Sequence, residues 1–319
     1  MAVERSRFRG TGPALVTPMR RDGALDLDAF AEHTRFCVRG GVHFLVPCGT
    51  TGESATMDAD EQLHVIERCL EASDGKVPVL AGAGSNSTLE ACRRARAAAA
   101  AGAHAILSVT PYYNKPSPEG LYRHYMAVAD AARIPLFVYN VPGRTGCNVT
   151  PATLFRLADG HELIVGVKES SGDLQQVMTI LRDRPQGFLV LSGDDHLTFA
   201  LMALGGDGAI SVVANEVPDA MRELVDAALA GDWTRARAVH YRLLLLMRAN
   251  FLDTNPVPVK TALELMGRGS AHFRLPLSEL TAEHRATLRA ALEQTGVEMP
   301  ASSERADRPT TAATARSSP

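Results

Sequence analysis

Only four of the 33 basic residues in this 319-residue chain are lysines, and one of them, Lys168, closes the apolar run at residues 163–167. Apolar neighbours around a lysine stem strip water from its ammonium and lower its pKa, and a neutral amine attacks carbonyl carbon to form an imine. The other reading of Lys168 is structural, as the ion-pair partner of Glu169 or of the aspartates at 194 and 195. Tyr139 lies one apolar run earlier and has the chemistry to pass protons between an imine and a substrate oxygen; it also reads as an amphipathic residue at a sheet rim. In Gly49-Thr50-Thr51-Gly52-Glu53 the glycines allow close backbone approach, so the turn can receive a carboxylate on its N–H groups or serve only as a tight turn. Arg144, in Pro-Gly-Arg-Thr-Gly, is suited to clamp a second carboxylate and is otherwise a solvated arginine.

Eight short apolar runs must position these groups: residues 13–18, 43–49, 78–84, 105–111, 135–142, 163–170, 188–195 and 208–215. Continuous rather than alternating apolar character predicts strands buried on both faces, as in parallel sheets. Helix signals fall between them. Asp58-x-x-Glu61 is a capping-box pattern, residues 87–101 are alanine-rich up to Gly102, and residues 118–132 open on a proline and an acid. Eight such units predict a (β/α)8 TIM barrel, with a doubly wound sheet as the alternative. The strand ends that form a barrel's active site then carry Thr17, Thr50 and Thr51, Asn86, Tyr112 and Tyr113, Tyr139, Arg144, Lys168, Gly193 and Asp194, with Ile210 inside the last strand. After Asn215 the periodicity is helical throughout. The expected organisation is a catalytic barrel over 1–230, a small C-terminal helical appendage over 231–298 and a disordered tail over 299–319, which lacks large apolar side chains.

Composition narrows the function. Hydrophobic residues at 45% and charged residues at 22% describe a globular chain and exclude a disordered or collagen-like one. A net charge of -3 offers no broad basic field for nucleic acid. No run approaches the ~20 apolar residues of a membrane helix. Residues 1–10 carry three arginines but no apolar signal core, and the five cysteines are scattered without a C-x-x-C pair, so a cytoplasmic location is expected. Gly82-Ala-Gly84 starts like a dinucleotide fingerprint but meets Ser87 at its third glycine, and Asp194-Asp195-His196 lacks a recognisable metal-ligand set. No cofactor and no metal are expected.

Gly49-Thr-Thr-Gly-Glu-Ser-Ala-Thr56, Pro111-Tyr-Tyr-Asn114, Tyr139-Asn-Val-Pro-Gly-Arg-Thr-Gly146, Gly166-Val-Lys-Glu-Ser170, Ser192-Gly-Asp-Asp195 and Asn255-Pro-Val-Pro-Val-Lys260 resemble, in order, the dihydrodipicolinate synthase family of pyruvate-dependent class I aldolases. The likeness spans about residues 8–295. It implies a lyase of lysine and diaminopimelate biosynthesis that condenses pyruvate with L-aspartate 4-semialdehyde. Lys168 would form the imine, the Thr50-Thr51 turn would hold the pyruvate carboxylate, and Tyr139 would relay protons through Thr50 to Tyr113 of a neighbouring subunit. Arg144 would hold the semialdehyde carboxylate, Gly193 and Ile210 would line the pyruvate pocket, and a homotetramer of paired dimers would form. Ser54, Asn86, Glu90 and Tyr112 match positions that bind L-lysine, but Ala59 and Gln62 stand where feedback-sensitive members often carry histidine. Sibling lyases for N-acetylneuraminate or 2-keto-3-deoxy sugar acids share the lysine, the tyrosine and the turn, and Arg144 separates them. A barrel that binds keto acids without chemistry is the reading of a different class.

Overall fold

The computed structural model describes residues 5–297 and Met299. Seven parallel strands form one sheet: β1 (Gly10–Pro13), β2 (Leu80–Gly82), β3 (Ala105–Val109), β4 (Leu136–Asn140), β5 (Ile164–Glu169), β6 (Leu189–Ser192) and β7 (Gly208–Ser211). Their order is β1-β7-β6-β5-β4-β3-β2, which leaves β1 and β2 as the two edges. The expected second run lies between those edges. Its Val46 bridges Ala14 and its Leu45 bridges Val79, both parallel. Val46 N–H donates to Pro13 at 3.1 Å, and Leu80 N–H donates to Leu45 at 2.8 Å, so residues 43–47 join both edges and the sheet curls into a TIM-barrel-like fold. This eighth position is held by single bridges rather than a ladder.

The first strand differs from its expected place at 13–18. The ladder runs over Gly10–Pro13, a Gly-Thr-Gly-Pro segment with no apolar run to mark it. Ala14 and Leu15 still pair, their N–H groups donating to Ser211 O at 2.8 Å and Val46 O at 3.0 Å, and from Val16 the chain leaves the sheet, Val16 N–H donating to the Asn215 side chain at 3.1 Å.

Helices cover the outside, starting where local chemistry stops the chain. Asp58 and Glu61 form a reciprocal capping box before Ala59–Ser73, Ser87 caps Thr88–Ala100, and Ser117 with Pro118 opens Pro118–Ala132. β4 shows how one strand serves two cores. Leu136 and Val138 face the helices, while Phe137 and Tyr139 face the barrel axis. The N-terminal end of the axis is plugged by Phe8, whose ring meets Phe44 and Phe137 edge-on at 5.8 and 5.5 Å.

After β7 the chain is helical, over Pro218–Leu229, Trp233–Ala249, Val257–Leu265 and Ala282–Gln294. The third of these is packed on the barrel mouth, with Val259 and Leu263 against Val16 and Val212. Of the expected tail, only Met299 falls among the described residues.

His33 links the first helix, Leu27–Arg39, to the end of the barrel by donating to Asn215 Oδ1 at 2.8 Å, while its buried Nδ1 has no partner. Burial, reinforced by the charge of Arg268, pushes its pKa down to about 4. The unfolded chain protonates this imidazole near pH 6.5, so between about 6.5 and 4 the unfolded state holds the extra proton and stability falls as pH drops. That window is worth about 3 kcal/mol. Urea titrations across it should show His33→Gln losing less stability than the native chain; equal slopes would contradict this.

Candidate active site

β4 and β5 bring the two principal residues together. Tyr139 and Lys168 are register partners, and Lys168 Nζ sits 4.2 Å over the centroid of the Tyr139 ring. Both are nearly buried, 6% and 5% exposed. A register shift between Leu136 and Phe137 matters here, because it gives β5 one extra residue. A one-residue slip reverses the facing of a strand, so the bulge turns Lys168 toward the axis while Val167 keeps its place under the helices. Gly166 accompanies the shift: a Cβ there would lie 2.6 Å from the Phe137 ring.

Gly193, just beyond β6, makes room for the lysine. A Cβ at this position would stand 2.8 Å from Lys168 Cε and 3.1 Å from its Cγ. Ile210 is buried in the inner cluster with Tyr139 and Leu191. The structural reading of Lys168 as a partner of Glu169 fails on geometry. Glu169 Oε1 accepts from Ser171 N–H at 2.7 Å, and Oε2 accepts from Asn140 and Gln176 at 3.0 and 3.3 Å, on the other side of the strand. Burial pushes the Glu169 carboxyl up, and those hydrogen bonds oppose it. Asp195 is also spent elsewhere, since its Oδ2 accepts from Val212 and Val213 N–H, both at 2.9 Å.

Asp194 faces the same mouth as the lysine. Burial pushes its carboxyl up, opposed by the charges of His196, Lys168 and Arg144. Arg144 is exposed on the short helix Pro142–Thr145, where its guanidinium is free to meet an incoming anion.

The turn after residues 43–47 is tightly held. Thr17 donates to Gly52 O at 2.8 Å, Gly52 N–H donates to Gly49 O, and Glu53 N–H donates to Thr50 O. Gly82 and Gly84 are explained by packing, because a Cβ on Gly82 would lie 2.1 Å from the Cys48 carbonyl oxygen and one on Gly84 2.6 Å from Val109 N. Thr50 shares a cavity of about 40 Å3 with Tyr139, Ser54, Gln62 and Arg94. Thr51 is buried and accepts from Asn255 at 2.9 Å.

Tyr113 does not join this cavity. It stands at φ 70 and is 90% exposed, with Tyr112 beside it at 39%. Asn86 supplies the carbonyl that Asn114 grips at 2.9 Å, while Glu90 binds Arg94 at 2.8 Å and Arg93 at 4.0 Å. Gln62 Nε2 donates to the carbonyls of Ser54 and Met57.

Three residues here were not singled out as site groups by the sequence reading. Arg94 lines the cavity beside Thr50, Asn255 grips Thr51, and Lys260 pairs with Glu53 at 2.5 Å. Asn255 and Lys260 carried a signal as the two ends of the family-like segment Asn255-Pro-Val-Pro-Val-Lys260, and Lys260 also as one of only four lysines; Arg94 carried none.

A parallel barrel that presents a buried lysine beside a tyrosine at its C-terminal rim is the arrangement of imine-forming, class I aldolase-type lyases. The chain belongs to the Dihydrodipicolinate synthetase family, whose sequence model matches residues 7–295. It is 48% identical over 291 residues to the 4-hydroxy-tetrahydrodipicolinate synthase of Chlorobium luteolum, covering 91% of this chain and 98% of the relative. It is 48% identical over 292 residues to the enzyme of the same name from Koribacter versatilis, covering 91% and 97%. The dihydrodipicolinate synthase structure from Aquifex aeolicus superposes with a TM-score of 0.90 at 41% identity, covering 92% of this chain and 99% of that one.

Proposed function

We propose that this chain is a lyase of lysine and diaminopimelate biosynthesis, a 4-hydroxy-tetrahydrodipicolinate synthase, and that Lys168 is the amine on which pyruvate and L-aspartate 4-semialdehyde are joined. The observation that carries the assignment of Lys168 is its Nζ over the Tyr139 ring at 4.2 Å, in a pocket that Gly193 keeps open. The Lys168 amine adds to the pyruvate ketone and water leaves, forming an imine while the pyruvate carboxylate rests on Thr50 and Thr51. Loss of a methyl proton gives an enamine, which forms the new carbon–carbon bond with the semialdehyde aldehyde. The substrate's own amino group then displaces Lys168 and closes the ring. Tyr139 carries protons in these steps, passing them through Thr50. Arg144 holds the semialdehyde carboxylate as a fork-shaped partner.

Tyr113 completes the relay from outside. Its 90% exposure supports a role in a neighbouring protomer's site, and the assembly we propose is a homotetramer of paired dimers. No helix among the described residues is long and apolar enough to cross a membrane, and a cytoplasmic location is proposed with it. Ser54, Asn86, Glu90 and Tyr112 form the proposed lysine site. A lysine bound there would compete with Arg94 for Glu90, and would meet Ala59 and an already engaged Gln62.

Pyruvate consumption with purified protein tests the substrate pair. Aspartate semialdehyde should be turned over at least about a hundredfold better, by kcat/KM, than N-acetylmannosamine or glyceraldehyde, because the sugars leave Arg144 without a carboxylate. Arg144→Ala should raise KM for the semialdehyde while sparing pyruvate. Preference for a sugar aldehyde would overturn the assignment.

A further inference from the structure

Pyruvate's carboxylate is read above as resting on the Thr50-Thr51 turn, and the structure shows what holds that turn from behind. The segment between the helices Trp233–Ala249 and Val257–Leu265 crosses the barrel mouth more than two hundred residues away in sequence. Asn255 Nδ2 donates to Thr51 Oγ1 at 2.9 Å, buried. Five residues on, Lys260 Nζ donates to Glu53 Oε1 and to the His272 carbonyl, each at 2.5 Å. The Lys260 and Glu53 side chains are 2% and 0% exposed. Glu53 itself sits at φ 55, a left-handed backbone that a non-glycine residue adopts at a cost and keeps only when its surroundings impose it.

We infer that Asn255 and Lys260 are positioning residues for pyruvate, fixing the carboxylate-binding turn from the C-terminal helices; this rests on the turn's assignment above. The argument has two parts. Asn255 fills a lone pair of the Thr51 hydroxyl with an N–H donor, so the hydroxyl proton is turned away from Asn255 and is available to an anion. Lys260 compensates the Glu53 carboxylate that would otherwise stand unpaired in the interior, one residue past Gly52. A buried carboxylate left unpaired would relax toward water and carry the strained turn with it.

The pair is also insulated from the reacting centre. Lys260 faces Phe273, 5.0 Å from the ring centroid, and is held by Glu53 rather than by any group beside Lys168. Its effect therefore falls on binding. An interaction shared by bound substrate and transition state changes KM and leaves kcat in place.

Steady-state kinetics on the full-length protein separate positioning from plain stability. Asn255→Ala should raise pyruvate KM about tenfold, which is about 1.4 kcal/mol, with kcat and the semialdehyde KM within about threefold of native. Asn255→Asp, which replaces the donor by an acceptor that draws the Thr51 proton to itself, should raise pyruvate KM further. The paired change Lys260→Met with Glu53→Gln leaves no lone buried charge and should give the same pyruvate-selective rise, so the test stands even where Asn255→Ala folds poorly. A drop in melting temperature with unchanged pyruvate KM in the folded variants would overturn the inference, as would equal losses for both substrates. Native protein that takes up no pyruvate would overturn the functional reading instead, and the inference with it.

Discussion

Lys168→Arg should lose turnover by at least about 10⁴-fold while remaining folded. The native site has one nucleophile, and removing the nucleophile of such a unit costs as much as dismantling it. Arginine keeps the positive charge and most of the stem, but its guanidinium stays protonated in proteins and has no lone pair for the pyruvate ketone. The substitution therefore separates two roles that lysine combines. A barrel that only binds keto acids would keep its ligand with arginine in place, since the charge 4.2 Å above the Tyr139 ring is retained. The imine-forming enzyme loses its chemistry. Initial rates with saturating pyruvate and semialdehyde, beside a melting curve, decide between them. Residual turnover within tenfold of native would contradict the assignment of Lys168.

Tyr139→Phe comes next in size, with an expected loss of about 10²–10⁴-fold in kcat, the range of a positioned proton donor and acceptor. The change is confined to one oxygen. Phenylalanine keeps the ring that packs among Leu191 and Ile210 and keeps a face for the Lys168 ammonium, so folding and pyruvate binding should survive. The loss should appear in kcat, with pyruvate KM little changed and the pH profile of the native enzyme altered. A fall in stability without loss of kcat would return Tyr139 to the role of a rim residue.

The strands and the lysine were legible because their signals are local. Apolar runs, the Asp58–Glu61 capping box and Pro118 after Ser117 each act within a few residues, and the helices begin where those residues stand. Lys168 was legible because an uninterrupted apolar run ends on it. What escaped depends on neighbours distant in sequence. β1 is built from Gly10 to Pro13, and only its pairing with β7 makes it a strand. The bulge that turns Lys168 inward is a property of two strands in register, which no single run encodes. The run at 43–49 is as apolar as its neighbours, yet it joins the barrel through single bridges at Leu45 and Val46, and the chain already turns at Pro47. Arg94 gave no local sign, and the family-like segment that Asn255 opens did not say that its partner would be Thr51, which lies on another element. Lys260 stood out through the scarcity of lysine and as the end of that segment, which said which residue to question but not that Glu53 would answer it.

The central claim is that Lys168 forms an imine with pyruvate. Incubating the native protein with pyruvate, reducing with borohydride and mapping the modified peptide tests it directly. The account predicts one reduced pyruvate per chain, on Lys168, with none on Lys76, Lys115 or Lys260 and none in Lys168→Arg. Adduct on another lysine, or no adduct at pyruvate concentrations that support turnover, would contradict it.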